Sequence, residues 1–417
     1  MNTILAIREK RAYGWAVLVA FTVNYAFVVV VFMTLGLLLP DIREDLDIDV
    51  WGAGWLASSL LIANLFLEIP LNWTLSKFRP WRVSVVAFLG TLAMVFLHAF
   101  SPTFAVLIIA RVGLGIFYLS SQPPRTLLIL MWLPKKNVGL ANGVLFGIMA
   151  FFEGMGFVLI PRIQSWTGDW RDTLLIWAIL CAVGTLIWTI IGVDRKSMQL
   201  EPNPEPPPEN QTPLRALIKY KEPWVLGLGI AATIAGRLTF DTWWPTFITE
   251  TYGVDKTTAG LILAVISVSG FPSSLGLSAI PFLVRYPGIT MIGGGILLAA
   301  TYIGMLFTGS LLLLFLLGLG NGLAFGFFAI MMASFYTLRG IQPRDLAIVV
   351  ALVYTIMWGG AAVGPVLTGF IAGEDENLRL GLFVLCLAPL GLSLVGLWHL
   401  LCRQPNSPSN PDMLETS

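Results

Sequence analysis

Arg111-Val112-Gly113-Leu114-Gly115, Pro123-Pro124, Trp132-Leu133-Pro134-Lys135-Lys136 and Gly168-Asp169-Trp170-Arg171 punctuate the stretch from Ala110 to Arg171. Two long apolar runs lie between these markers, so the stretch reads as two membrane-spanning helices joined by a short basic turn. A charged side chain at membrane depth costs at least about 2.5–3.5 kcal/mol, so Arg111 is expected to face something other than lipid. At helical spacing Arg111 shares a face with Gly115, Tyr118, Gln122 and Arg125, a polar stripe of the kind that lines a water-filled path. The alternative is structural: Arg111 neutralises a buried acid, and Glu153 of the next span is available for that.

Working outward, the whole chain has the same character. It has 417 residues, 56% hydrophobic and 12% charged, with mean hydropathy +0.81; soluble domains carry about 25% charged residues. A net charge of +1 leaves no basic footprint for a nucleic acid. Cys181, Cys386 and Cys402 are well separated and without a Cys/His pattern, so neither metal nor disulfide is indicated. His98 and His399 are lone residues near span ends. No serine, cysteine or histidine constellation suggests an enzyme, and no cofactor motif is present. Without a phosphate-cradling loop, any transport would run on a gradient rather than on bound ATP. Met1 to Lys10 is too short and too poorly patterned for a cleaved signal peptide.

Hydropathy predicts spans at about 14–39, 52–73, 83–100, 104–132, 139–162 and 173–192, then at 222–247, 258–281, 288–307, 310–337, 344–372 and 379–401. The predicted fold class is an all-α membrane protein of twelve transmembrane helices in two six-helix bundles, residues 14–193 and 222–402. A polar linker, 194–221, contains Pro202-Asn203-Pro204-Glu205-Pro206-Pro207-Pro208-Glu209 and cannot form a core. With the N-terminal segment 1–13 inside, most Lys and Arg fall on the cytoplasmic side, including Lys77, Arg79, Arg82, Lys135, Lys136, Arg285, Arg339 and Arg344. The opposite loops are acidic, at Asp41–Asp49 and Glu374-Asp375-Glu376. This is the positive-inside pattern. It predicts a multi-pass protein of the plasma (inner) membrane with the linker, the tail 403–417 and both termini cytoplasmic. A monomer surrounded by membrane lipid is the expected form.

Six charges fall within spans: Arg111, Arg125, Arg237, Glu68, Glu153 and Asp241. Their net charge of zero does not by itself require an anionic substrate. Arg237 and Asp241 are one helical turn apart and can pair, as a structural bond or as a site where Asp241 takes a proton and frees Arg237. Asn24, near the middle of the first span, is a candidate cavity residue or helix–helix glue. Asn64, Glu68 and Asn72 share a face of the second span, where Glu68 is a potential partner for the basic loop beyond it. Trp243-Trp244 is either part of a recognition run or an interfacial aromatic belt.

Arg111-x-x-x-Gly115, Pro123, Trp132-x-Pro134, Gly139-x-Ala141-x-Gly143 and Trp170-Arg171 together resemble the major facilitator superfamily of transporters. Within it the spacing is similar to organic-anion carriers of the anion:cation symporter and monocarboxylate type. Thr242-Trp243-Trp244-Pro245-Thr246-Phe247 also resembles a run found in anion carriers. The resemblance implies two bundles alternating around a central site, with small-molecule substrate and proton as partners. Arg111, Arg125, Glu153, Arg237, Asp241, Asn24, Tyr118 and Gln122 are then the substrate and coupling candidates.

The superfamily's gating loop, Gly-x-x-x-Asp-Arg-x-Gly-Arg-Arg, falls at Asn72 to Arg82. Here Asn72 and Ser76 replace the glycine and the aspartate, and Lys77, Arg79 and Arg82 keep the basic character. The second-half counterpart, Gly276 to Gly288, keeps Arg285 but has Val284 at the aspartate's place. Either another group does the latching, with Glu68 the candidate, or the protein cycles in an atypical way. The fifth span lacks the Gly-x-x-x-Gly-Pro-x-x-x-Gly pattern of drug exporters, whereas Gly360, Gly364, Pro365 and Gly369 carry it in the eleventh. Gly318-Leu319-Gly320-Asn321-Gly322 resembles nitrate-carrier spans and reads as a packing element. Proton-coupled uptake of a small organic anion is the expected activity. The alternatives are proton-driven efflux of amphipathic compounds and a transporter-like sensor or assembly factor.

Overall fold

The computed structural model describes residues 11–134, 137–194, 220–334, 343–373 and 376–402. The proline-rich run of the linker, Lys135-Lys136, Arg339, Glu374-Asp375 and both chain ends lie outside the described residues. Apolar runs with no water to satisfy their backbone close into helices, because each N–H then finds a carbonyl within its own segment. In chain order these are α1 (Arg11–Met33), α2 (Leu35–Leu46), α3 (Val50–Leu75), α4 (Pro80–Ala99), α5 (Phe104–Ser120), α6 (Gln122–Trp132), α7 (Val138–Thr167) and α8 (Trp170–Ile191). The second half of the chain supplies α9 (Glu222–Tyr252), α10 (Lys256–Ser278), α11 (Pro281–Arg285), α12 (Pro287–Leu306), α13 (Leu311–Phe325), α14 (Phe327–Ser334), α15 (Pro343–Ala372), α16 (Leu378–Cys386) and α17 (Leu390–Cys402). Among the described residues eleven helical spans are long and apolar enough to cross a membrane, and Leu311–Phe325 is a shorter apolar helix.

Eleven of the predicted spans appear among the described residues as helices long and apolar enough to cross a membrane, with interruptions that hydropathy does not register. The first breaks at Thr34, whose hydroxyl donates to the Val30 carbonyl at 2.6 Å, and the chain restarts as α2. The fourth breaks at Ser121, because Pro123 and Pro124 bring no N–H to continue the ladder. The tenth divides at Gly326, and its predicted end beyond residue 334 is outside the described residues. The twelfth divides ahead of Leu390, next to Pro389. Several helices run further than predicted: the fifth span continues to Thr167 and the seventh to Tyr252. Gly168 and Gly253 close those two helices at φ +74° and +67°, where a side chain would be strained.

Helices of the first half pack mainly on one another, α1 on α7 and α8, α3 on α5, and α4 on α5 and α8. Those of the second half do likewise, α9 on α15 and α17, α10 on α13, and α12 on α13 and α17. The halves meet where α3 packs on α15, α7 on α10, and α2 on α9. At this seam the backbones touch. A Cβ on Gly36 would meet the backbone of Asp241 and Thr242, one on Gly54 that of Pro365, one on Gly260 that of Phe157, and one on Gly369 that of Val50. Gly360 and Gly364 bring α15 equally close to Ala231 and Ala235 of α9, as the small-residue spacing predicts. Gly322 of the glycine run likewise meets Ile266 and Ser269 of α10.

The molecule has two polar ends. The acidic end carries Asp41, Asp45, Asp49, Asp169 and Asp255; the basic end carries Lys77, Arg79, Arg82, Lys221 and Arg285. At the acidic end Arg43 pairs with Glu376 at 2.7 Å and Lys256 with Asp41 at 2.6 Å, both across the seam. Arg171 pairs with Asp45 at 2.5 Å within the first half. The acidic end of the seam is therefore shut.

Candidate functional site

Three layers of polar contact cross or border the seam below that closed end. The first is built around Arg111 on α5. Gly115, one turn on, lets α5 approach α3 so closely that a Cβ there would meet the Leu60 carbonyl. This draws Arg111 into the interior, where it is buried. Its one described hydrogen bond is a long one, Nη2 to the Ala57 carbonyl at 3.4 Å, and Nε and Nη1 have no partner among the described residues. Removing an ion from water costs several kcal/mol unless it is compensated. Arg111 is thus a buried cation awaiting a counter-charge.

Across from it stands Asp241 on α9. A cavity of about 10 Å³ separates the two and is bordered by Phe32 and Ala57 of the first half and by Leu238 and Pro365 of the second. That is room for a single water. Asp241 Oδ1 is buried without a partner among the described residues. Arg111 and Asp241 thus both line one small cavity, and each has side-chain atoms without a partner among the described residues.

The second layer is an ion-pair network joined to the first through Asp241. Arg237 Nε donates to Asp241 Oδ2 at 2.5 Å, and Arg237 Nη2 donates to Glu153 Oε1 of α7 at 3.2 Å. Ser267 of α10 ties the group together: its hydroxyl donates to Glu153 Oε1 at 2.8 Å and accepts from Arg237 Nη2 at 3.2 Å. The Arg237 guanidinium also lies 5.2 Å from the centroid of the Phe325 ring. Two carboxylates thus share one arginine, and Glu153 comes from the opposite half of the chain. The alternative that Glu153 neutralises Arg111 is overturned here: Glu153 is paired with Arg237, and Arg111 makes no ion pair among the described residues.

The third layer lies toward the basic end. Glu68 on α3 accepts from Trp358 Nε1 of α15 at 3.0 Å and from Asn72 Nδ2 at 3.2 Å. The Trp358 ring stands edge-on to Tyr118 at 6.4 Å, and Tyr118 stacks on Tyr25 at 5.3 Å. Gln122 donates to the Tyr25 hydroxyl at 2.5 Å. Glu68 makes no ion pair with Lys77, Arg79 or Arg82 among the described residues. The reading of it as a partner for the basic loop gives way to a cross-seam bond with an indole.

The predicted stripe along α5 and α6 is therefore divided. Arg111 borders the cavity, Gly115 makes the close approach, and Tyr118 and Gln122 belong to the aromatic layer. Arg125 lies over the Phe146 ring at 4.6 Å. Asn24 is absorbed in packing, donating to the Thr185 hydroxyl of α8 at 3.3 Å. Arg285 is exposed beside Tyr286 at 5.8 Å. His98 is buried, with Nδ1 3.0 Å from the Met94 carbonyl.

Trp243 and Trp244 form no interfacial belt: both are 0% exposed, their Nε1 groups donating to the carbonyls of Pro365 at 3.1 Å and Met305 at 3.3 Å. The helix runs on to Tyr252, so the pair sits about 12 Å inside its end. Ser267 and Trp358 escaped sequence reasoning. A lone serine or tryptophan in an apolar run carries no signal until its neighbour across the seam is known.

Residues 21–342 match the Major Facilitator Superfamily. The nitrite extrusion protein of Bacillus subtilis is 25% identical over 71% of this chain and 74% of its own length. A probable galactarate/D-glucarate transporter of Escherichia coli is 21% identical over 86% of this chain and 88% of its own. Among solved structures, a bacterial homologue of the human lysosomal transporter Spinster, inward-facing and unoccupied, superposes with a TM-score of 0.76 at 16% identity, covering 96% of this chain and 100% of that one. A nucleoside transporter, NupG, gives 0.71 at 18% identity over 94% of this chain and 98% of its own. At those identities the structures speak for the fold alone. The family match spans most of the sequence: this chain belongs to the Major Facilitator Superfamily and is a multi-pass membrane transporter.

Proposed function

We propose that the protein takes up a small organic anion together with a proton, by alternating access. The working unit is two six-helix bundles, residues 14–193 and 222–402, of twelve spans in all. They are joined by the cytoplasmic linker, with both termini inside and the acidic end facing outward from the plasma membrane. In this reading the described conformation is closed to the outside by the Arg43–Glu376 and Lys256–Asp41 pairs. Its substrate site is collapsed to the small cavity between Arg111 and Asp241.

The observation that carries the reading is the buried guanidinium of Arg111, with two nitrogens unpartnered among the described residues, beside a small cavity that Asp241 also lines. Arg111 and Arg237 with ionised Glu153 and Asp241 make a neutral group. A monovalent anion bound beside Arg111 makes it negative by one charge, and one proton on Asp241 or Glu153 restores neutrality. Unbalanced charge in a dry site costs several kcal/mol, so anion and proton enter and leave together. Protonation of Asp241 also loosens its bond to Arg237, making that arginine a second anion contact. Efflux of amphipathic compounds would need Arg111 tied up and Glu153 open to an apolar chamber; the unpartnered nitrogens of Arg111 and the Glu153–Arg237 pair count against it. A second reading, an inorganic oxyanion as substrate, is favoured by the nitrite and nitrate relatives, the latter a probable nitrate transporter of Staphylococcus epidermidis at 24% identity over 69% of this chain and 74% of its own length.

The test is uptake into proteoliposomes of labelled mono- and dicarboxylates, sugar acids, nitrate and nitrite, with an inward proton gradient on and off. Gradient-stimulated uptake of an organic acid, lost in Arg111→Gln, is the expected result. Uptake of nitrate or nitrite alone transfers the site to the second reading. Uptake that Arg111→Gln leaves intact removes Arg111 from the site.

A further inference from the structure

We propose that the groove between the α3–α4 turn and α5 binds the headgroup and upper acyl chain of an anionic phospholipid. The groove holds about 450 Å³, the size of a ligand site rather than a packing gap. Lys77, Arg79 and Arg82 form its rim, and Val83, Val86 and Phe117 its wall. The rim residues are exposed and have no ion-pair partner among the described residues. The turn itself, residues 76–82, contains no acid. Of the acids nearby, Asp194, just past α8, accepts the Trp81 backbone N–H within the turn at 2.9 Å, and Glu68 is held away by Trp358 and Asn72. Three cations, Lys77 with its ammonium over the Trp73 ring at 3.1 Å and Arg79 and Arg82 without an ion pair among the described residues, therefore stand at one opening against the single carboxylate of Asp194.

The wall decides what kind of anion fits. Val86 is 64% exposed on a membrane-spanning helix, and Phe78 at the turn is 58% exposed. A soluble anion would satisfy the rim and leave this apolar surface bare. A phospholipid satisfies both: its phosphate accepts from the two guanidinium forks, while its chain covers Val86 and Phe117. A cation at an anionic membrane surface is worth about fivefold in affinity, so three of them favour an anionic over a zwitterionic lipid by up to about a hundredfold. The proposal needs only that these helices span a membrane. It does not depend on the identity of the transported solute.

The test uses the full chain in detergent, titrated with phosphatidylglycerol or phosphatidylcholine of the same acyl chains and read by native mass spectrometry. The wild type should hold phosphatidylglycerol about tenfold or more tightly than phosphatidylcholine. The triple variant Lys77→Gln, Arg79→Gln, Arg82→Gln should lose that preference. Val86→Trp, which fills the groove and leaves the cations in place, should weaken phosphatidylglycerol as well, and it keeps the test readable if the triple variant does not fold. Equal retention of both lipids by the wild type overturns the proposal, as does a preference that survives Val86→Trp. Displacement of the lipid by millimolar inorganic phosphate also overturns it, by identifying a soluble anion as the occupant.

Discussion

Arg111 and Arg237 are both buried and both carried by membrane-spanning helices, yet their surroundings are opposed. Arg237 has two carboxylates, a hydroxyl and an aromatic face. Arg111 has one long bond to a carbonyl. A fully partnered buried charge is a structural commitment, because removing one member strands the others. An unpartnered one is held in place by the rest of the fold and is free to meet a ligand. Two arginines of similar depth thus divide the labour, one fixing the seam and the other waiting in it.

The strongest way to break this contrast is to neutralise each arginine in turn. Arg237→Gln should leave Glu153 and Asp241 facing each other without a cation and cost about 3–5 kcal/mol, read as a lower thermal transition and a lower yield of folded protein. Arg111→Gln should leave the thermal transition unchanged or higher. If the two lose equal stability, Arg111 is a structural residue and the contrast fails. Transport should show the reverse order. Loss of a charged hydrogen-bonding partner is worth about 1.5–3 kcal/mol, so Arg111→Gln should reduce uptake about ten- to a hundredfold. Glu153→Gln keeps the Ser267 contact and should abolish stimulation by the proton gradient more than it lowers downhill exchange.

The contrast was only partly legible in the sequence. Length and hydropathy mark where the apolar helices lie, though not where they break, since backbone hydrogen bonding in lipid admits few alternatives to a helix. Arg111 stood out because a charge in an apolar run is costly wherever it points. Who pairs with whom was not legible: Glu153 lies at a depth that suits either arginine, and only the packing of α7 on α10 brings it to Arg237 and Ser267. Trp243-Trp244 shows the same limit in another form. An aromatic pair near the end of an apolar run reads as interfacial until the helix is seen to continue past it. The breaks at Thr34 and Ser121 were hidden because hydropathy averages over them, although Pro123-Pro124 marked the second.

Two smaller effects sharpen the contrast by testing the seam away from the arginines. Glu68→Ala and Trp358→Phe each remove the one cross-seam hydrogen bond between them and should each cost about 1 kcal/mol. Being partners, they should be non-additive when combined. Cysteine accessibility at the basic end should rise similarly in all three variants. Additive losses would show that the bond is not a unit.

The smallest effect is expected at Asp255, which caps α10 outside the membrane span. The Thr258 hydroxyl, with backbone N–H groups adding to it, holds this carboxyl below the usual carboxylate range. Its stabilisation is therefore complete above about pH 4 and disappears as the pH falls through the lowered folded value. Asp255→Ala should cost about 1 kcal/mol at pH 7 and less in acid, with uptake unchanged. A thermal melt at both pH values checks it, and an altered proton response in this variant would blur the line between cap and coupling site.

The four glycines that bring backbone against backbone across the seam, Gly36, Gly54, Gly260 and Gly369, give this transporter a bearing surface without teeth. In the proposed alternating movement no side chain would have to unhook at these four contacts, so little rotamer rearrangement would resist it. The same smoothness makes the surface intolerant. A single methyl group on any of the four is a wedge at a known depth, and a series of such wedges would act as a set of gauges that hold the two halves at graded separations.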